Sequence, residues 1–272
     1  MKTNERTTLT VTFAALAFSA APLVAQRSVY IEDLTWPEVQ QAIQSGKTSA
    51  IIYTGSTEQN GPHMAIGKHN FIARYVAGAI AIKLGDALVY PTLPFAITGD
   101  PVKKTAHMRF PGSVTLTPQT FRSVVHDIAL SAIDAGFRNI FVMGDHGDGQ
   151  EILGSVAKEL DAQWKSKAVR IFYVPDVYFK QKQQAHAYET AHGITTLDVH
   201  AGTDDTSELM ALDAQHRWIR ADKLAPSEGA QTAWTGVDGD PTKASAALGD
   251  IFLQYKIDDA VAQIRQLLST RR

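Results

Sequence analysis

The chain has 272 residues, 44% of them hydrophobic and 20% charged, with a formal charge of −2 and a pI near 6.5. That balance is globular, and without a basic field or run it argues against nucleic acid or an anionic membrane as partner. There is no cysteine, so disulfides, thiolate ligands and a cysteine nucleophile are excluded, and any metal must be held by His, Asp, Glu or Asn.

Residues 1–25 read as an export signal. Lys2 and Arg6 lie in a short polar start, an apolar stretch runs from Leu9 to Leu23, and cleavage is expected after Ala25. The remainder, 26–272, is expected to form one domain, periplasmic or secreted and free of the membrane once the signal is removed. In chain order, Thr35 before Pro37 predicts a capped amphipathic helix ending at Gly46. The run Ser49–Tyr53 predicts a strand, Phe71–Leu84 a buried helix closing at Gly85, and Ala87–Pro91 a second strand. A long Pro-, Gly- and Thr-rich section follows, Thr92–Leu116, with His107 in its middle; loops of that length in a compact domain usually carry function.

Pro118 opens a helix running to Ala135 and stopped by Gly136, and Asn139–Met143 reads as a buried strand. Glu151–Lys165 is then a helix and Ala168–Val174 a strand. The mixed segment Asp176–Thr195 has a helical part suited to a mobile arm or a contact with another subunit. A further helix follows the His200 cluster with Thr206 or Ser207 available as cap, and Asp250–Leu268 closes the chain. Strands alternating with helices predict an α/β fold: three layers, α/β/α, around a largely parallel sheet.

The chemistry concentrates where strands release into polar loops, the usual place for it in α/β proteins. Past Tyr53 come Glu58, Asn60, His63 and His69 within a dozen residues; past Met143 come His146 and Asp148. Three titratable groups crowded into one loop point to a metal or to proton transfer rather than to a merely polar turn. Glu58, His69 and His146 form a two-imidazole, one-carboxylate set, the kind of donor set that holds catalytic zinc with a position open for water. Asp148 and Asp205 are expected as a fourth ligand or as partners of the ligands. His200 precedes Ala-Gly, where close backbone approach leaves room for a ligand, and is read as the general acid that protonates a departing nitrogen, with Asp205 orienting it.

Three stretches resemble the creatininase family of metal-dependent amidohydrolases: Gly55–His69, with Glu58-Gln-Asn-Gly-Pro-His63; Thr105–Leu116 together with Met143–Gly149; and His200–Ser207 with Gly236–Ser245. The resemblance implies the α/β/α fold, Glu58 and His146 as metal ligands, His200 as acid/base and His107 near the active site. It also implies a homo-oligomer, with a hexamer as one form. Two ligand positions depart from the family, Asn60 standing where it has His and His69 where it has an Asp bridging two ions, and Thr203 replaces a residue that is often Glu. An imidazole ligates one metal through one nitrogen and cannot bridge as a carboxylate does. One divalent ion is therefore expected rather than two, zinc first and manganese or iron as alternatives. Asn60 and His63 are expected to touch the substrate or to hold the metal ligands in place. The activity expected is hydrolysis of a non-peptide C–N bond in a small cyclic or linear amide. A lactone hydrolase, or a family member that binds a metal or small ligand without hydrolysis, is the alternative.

Overall fold

The computed structural model describes residues 28–195 and 199–270; the segment read as an export signal lies outside them. Four parallel strands, β1 (Ser49–Thr54), β2 (Ala87–Val89), β3 (Asn139–Gly144) and β4 (Arg170–Tyr173), form one sheet in the order β2-β1-β3-β4. Every residue of β1, β2 and β3 is buried, the signature of a parallel sheet covered on both faces.

The covers follow from side-chain alternation along the strands. Ile51, Tyr53, Val89, Phe141 and Met143 face α2 (Lys68–Leu84) and α8 (Ala246–Ser269), while Ala50, Ile52, Leu88, Ile140 and Val142 face α1 (Trp36–Gln44), α3 (Pro118–Ala135) and α4 (Gln150–Trp164). The architecture is the expected three-layer α/β/α sandwich. Outside α8 lie α5 (Phe179–Ala191) and α6 (Thr203–Leu212), and a single turn, α7 (Thr232–Thr235), sits in the loop before α8.

Local signals set many boundaries. The Glu38 carboxylate accepts from the Thr35 backbone N–H at 2.7 Å, half of a capping box that opens α1. Gly85 and Gly136 end α2 and α3 with φ of 84° and 108°, a conformation cheap only for glycine.

Three expectations are corrected. Helix α2 begins at Lys68 rather than Phe71, so His69 belongs to a rigid first turn and not to a loop. A lysine at a helix N-terminus is unfavourable to the macrodipole, and it is tolerated here because Asp205 pairs with it. Helix α6 begins at Thr203, with Gly202 as its cap; Thr206 and Ser207 lie inside it, their hydroxyls engaged with His63 and with the Ser245 N–H. The segment around α5 is packed rather than a mobile arm: Gln181 and Ala185 are buried, and Tyr188 meets Phe252 of α8 edge-on.

Candidate metal centre

Strands β1 and β3 are register partners to their last residues, Thr54 opposite Gly144. The connections leaving them run to opposite sides, since β2 lies beyond β1 and β4 beyond β3. A crevice opens at such a reversal of strand order. Glu58 lies four residues past β1, Asp145 and His146 directly past β3, and His69 in the first turn of α2. The turn after β1 needs glycine at position 55, because a Cβ there would stand 2.2 Å from Asn70 Oδ1.

Glu58 is fully buried. Ser56 Oγ donates to its Oε2 at 2.7 Å, His146 Nδ1 approaches the same oxygen at 3.0 Å, and His69 Nε2 lies 3.1 Å from Oε1. Burial alone would raise this carboxyl; the His146 and His69 rings outweigh it and hold it well below the usual carboxylate range. The outer nitrogens of both rings are committed. His69 Nδ1 donates to Asp145 Oδ2 at 2.8 Å, and His146 Nε2 donates to the Ile97 carbonyl at 3.0 Å. Asp145 is itself ionised: burial raises its carboxyl, but the Lys256 ammonium at 2.9 Å and the His69 ring together hold it below the usual range.

These outer bonds decide what the inner nitrogens can do. A carbonyl only accepts, and an ionised carboxylate only accepts, so each outer nitrogen carries its ring's proton. In the neutral ring the inner nitrogen is a bare lone pair, and each is aimed at an oxygen of one carboxylate about 3 Å away. Lone pair against lone pair requires positive charge between them. Two imidazolium protons would place like charges on rings whose centroids are 5.3 Å apart inside a buried site, whereas one divalent ion serves all three groups at once. The donor atoms lie within 4.8 Å of one another, and the two short separations approach the edge of about 3.3 Å that a tetrahedral site with bonds of 2.0–2.1 Å would have. The residues present therefore fit a divalent ion, and nitrogen-oxygen donors of this kind suit zinc, manganese or iron(II). Burial lowers the His146 pKa but Glu58 more than reverses it, so protons compete with the ion for that nitrogen.

The other residues singled out from sequence are placed as follows. His107 and His200 stand together, ring centroids 4.6 Å apart, with His107 Nε2 3.8 Å from Glu58 Oε1; with Glu58 they form a second cluster of possible donors. Both rings are flanked by alanines in the left-handed region, Ala106 at φ 45° and Ala201 at φ 57°, a strain that concentrates at functional sites. His200, His107, His69, His146, Tyr178, Lys182 and Asp205 line a cavity of about 200 Å³. Asn60 turns inward and donates to the Glu58 carbonyl at 2.9 Å, and its buried Oδ1 has no partner among the described residues. His63 is fully buried and bonds Thr206 Oγ1 at 2.9 Å.

Two expectations take a different form. Asp205 makes no hydrogen bond to His200: it accepts from the Ala201 N–H at 2.9 Å and pairs with Lys68 at 2.9 Å and Lys182 at 3.4 Å. It fixes the backbone beside His200 rather than the ring. Asp148 joins neither donor cluster; its side chain is 63% exposed and lies 4.0 Å from the outer nitrogen of His146, the one turned away from Glu58.

Comparison with known proteins settles the lineage: a model of the creatininase family, described as creatinine amidohydrolase, matches residues 32–264. The chain belongs to the creatininase family. It is 27% identical over 227 residues to a mycofactocin precursor peptide peptidase of Mycolicibacterium smegmatis, covering 79% of this chain and 84% of that one. It is 28% identical over 120 residues to a creatinine amidohydrolase of Pseudomonas putida, 44% of this chain and 45% of that one. A solved creatininase superposes with a TM-score of 0.70 at 21% identity, covering 88% of this chain and 98% of that one. Other solved creatininases of similar fold are described as a Zn–Zn type and as a manganese form. Members of the family are hydrolases acting on C–N bonds.

In this creatininase-family chain several working residues escaped the sequence reading. Asp145 stood in plain view between Gly144 and His146, and only its contact with His69 reveals its part. Lys256 shares one face of α8 with Phe252, Ala260 and Ile264, and a lysine in such a stripe is itself a sign of a buried partner; it pairs with Asp145 and, at 3.2 Å, with Glu208. Burial pushes the Glu208 carboxyl up, against the pull of Lys256, to about 7. Lys68 is fully buried against Asp205, a pairing that no local pattern announces.

Proposed function

We propose that this chain is an exported, metal-dependent hydrolase that cleaves a C–N bond in a small cyclic or linear amide. The observation that carries the reading is the pair of committed imidazoles turning bare nitrogens onto the two oxygens of one buried carboxylate. Glu58, His69 and His146 would hold the ion, zinc first. When bound, the ion would lower the pKa of a coordinated water to roughly 7 and polarise the substrate carbonyl.

The protein's own groups supply the rest. Asp145, anchored by Lys256, keeps His69 in the tautomer that can ligate, and the Ile97 carbonyl does the same for His146. His200 is neutral: burial first, then the nearby Lys68 ammonium, bring its pKa down to about 3. A neutral imidazole beside the cavity takes a proton from the attacking water and returns it to the leaving nitrogen. The cavity, about 200 Å³, has room for a small substrate beside these groups.

The names of the relatives widen the substrate panel to lactams and short peptides; lactones join it because the same groups would attack any activated carbonyl, and export rests on residues 1–25, with cleavage after Ala25. A homo-oligomer is part of the same reading. Purified protein without the first 25 residues is assayed for metal and for turnover of the panel. Stoichiometric metal with hydrolysis of an amide is the expected result. Stoichiometric metal with no hydrolysis of any member would instead support a ligand-binding protein.

A further inference from the structure

Four imidazoles surround Glu58, and two donor clusters share it: Glu58 with His69 and His146, and Glu58 with His107 and His200. By distance alone both could take an ion. Their protons say otherwise, and the residue that decides is Gln59.

The Gln59 side chain is fixed end for end. Its Oε1 accepts from the Gly61 backbone N–H at 2.9 Å, and an N–H can only donate. The opposite end is therefore the amide NH2, and it meets His107 Nδ1 at 3.0 Å. Gly236, at φ 69°, leaves the space for this side chain; a Cβ there would stand 1.9 Å from Gln59 Oε1. His107 Nδ1 thus accepts, the ring is neutral, and its proton sits on Nε2, the nitrogen turned toward Glu58. A protonated nitrogen cannot ligate a metal. The Gln59 backbone carbonyl fixes the second ring, accepting from His200 Nε2 at 3.0 Å, so that the lone pair of His200 is left on Nδ1.

We propose that Gln59 is a positioning residue that sets both tautomers, so that the centre takes one metal ion while His107 presents an N–H donor and His200 a bare nitrogen to the substrate. The charges agree. Of the carboxylates around the cavity, Asp205 is already paired with Lys68 and Lys182, which leaves Glu58 and the exposed Asp148. The His107 donor, close to Glu58, is placed to hydrogen-bond the oxygen on which charge develops as the amide carbonyl is attacked.

This inference rests on the metal-hydrolase reading, and the test separates the two. Zinc is titrated against a competing chelator into wild-type, His107→Ala and Gln59→Glu proteins, with long-range imidazole proton–nitrogen spectra of the zinc-loaded forms. Wild type should take one equivalent and show His107 protonated on Nε2. His107→Ala should also take one, its affinity unchanged within about threefold, against the 10- to 100-fold that loss of even an outer partner costs a ligand. In Gln59→Glu the carboxylate accepts from Nδ1–H, the lone pair moves to Nε2, and a second, weaker equivalent appears. Two equivalents in wild type, loss of the ion in His107→Ala, or a His107 proton on Nδ1 in wild type overturns the proposal, whether or not Gln59→Glu folds. No zinc in wild type would remove the metal reading itself.

Discussion

Two buried carboxylates flank the candidate centre, each held by lysine, and each does something different. Asp145 reaches an imidazole directly: one oxygen takes the His69 Nδ1 proton and the other is held by Lys256 and, at 3.2 Å, by Tyr53 OH. Asp205 reaches no imidazole; it ties the Ala201 backbone and balances Lys68 and Lys182. The first arrangement makes a ligand by fixing a proton. The second holds a loop in a strained conformation and sets the field around His200. A buried ion pair can thus serve a site through a hydrogen bond or through position and charge, and the two can be told apart by measurement.

The largest contrast should come from Asp145→Asn. An amide in place of the carboxylate no longer demands the Nδ1 proton of His69, and zinc affinity should fall 10- to 100-fold, read by chelator competition. An unchanged affinity would mean that Asp145 only balances Lys256.

On the other side, Lys68→Met removes one partner of a buried pair while Lys182 remains, so the expected loss of stability is about 3 kcal/mol, the low end for such a break, read by denaturant unfolding. Zinc affinity should hold. Lys68 lowers the His200 pKa, so its removal should raise it and move the acid limb of kcat/KM to higher pH. A profile that stays in place would show that Lys68 does not act on His200.

A gentler difference concerns acid. His200 titrates at about 3 and His63 at about 4, each lowered by burial first and by Lys68 second, whereas an unfolded imidazole titrates near 6.5. Between about pH 6.5 and these values the unfolded chain binds more protons, so this contribution is complete above pH 6.5 and is lost as pH falls through the window. Denaturation of the metal-free protein at pH 7 and pH 5 should show the decline, with a shallower slope in His63→Gln; identical slopes would place the cause elsewhere. The smallest effect belongs to Asp148→Asn. Exposed and on the outer side of His146, Asp148 should alter zinc affinity by no more than about twofold, since solvent-exposed charge pairs contribute little.

The parts of this molecule that could be read from sequence are those fixed by near neighbours. The run Ser49–Tyr53, the glycines at 85 and 136 and the cap at Thr35 each carry their own explanation within a few residues, and the α/β/α layering follows from the alternation of strands and helices. Glu58 and His146 stood out because each follows a largely apolar strand. The start of α2 was missed because Lys68 argues locally against a helix end, and its compensation, Asp205, arrives through tertiary packing. Asp145 and Lys256 are 111 residues apart, and only the closed fold joins them. Proton positions on the four imidazoles were also beyond reach, since they depend on the Ile97 and Gln59 carbonyls, the Asp145 carboxylate and the Gln59 amide.

The most direct test of the account is a metal count by mass spectrometry on the purified wild-type protein beside Glu58→Ala and His146→Ala, all loaded with zinc and dialysed together. Glu58, His69 and His146 sharing one ion predicts a stoichiometric ion in wild type and nearly none in either variant. Equal metal in all three proteins would contradict it.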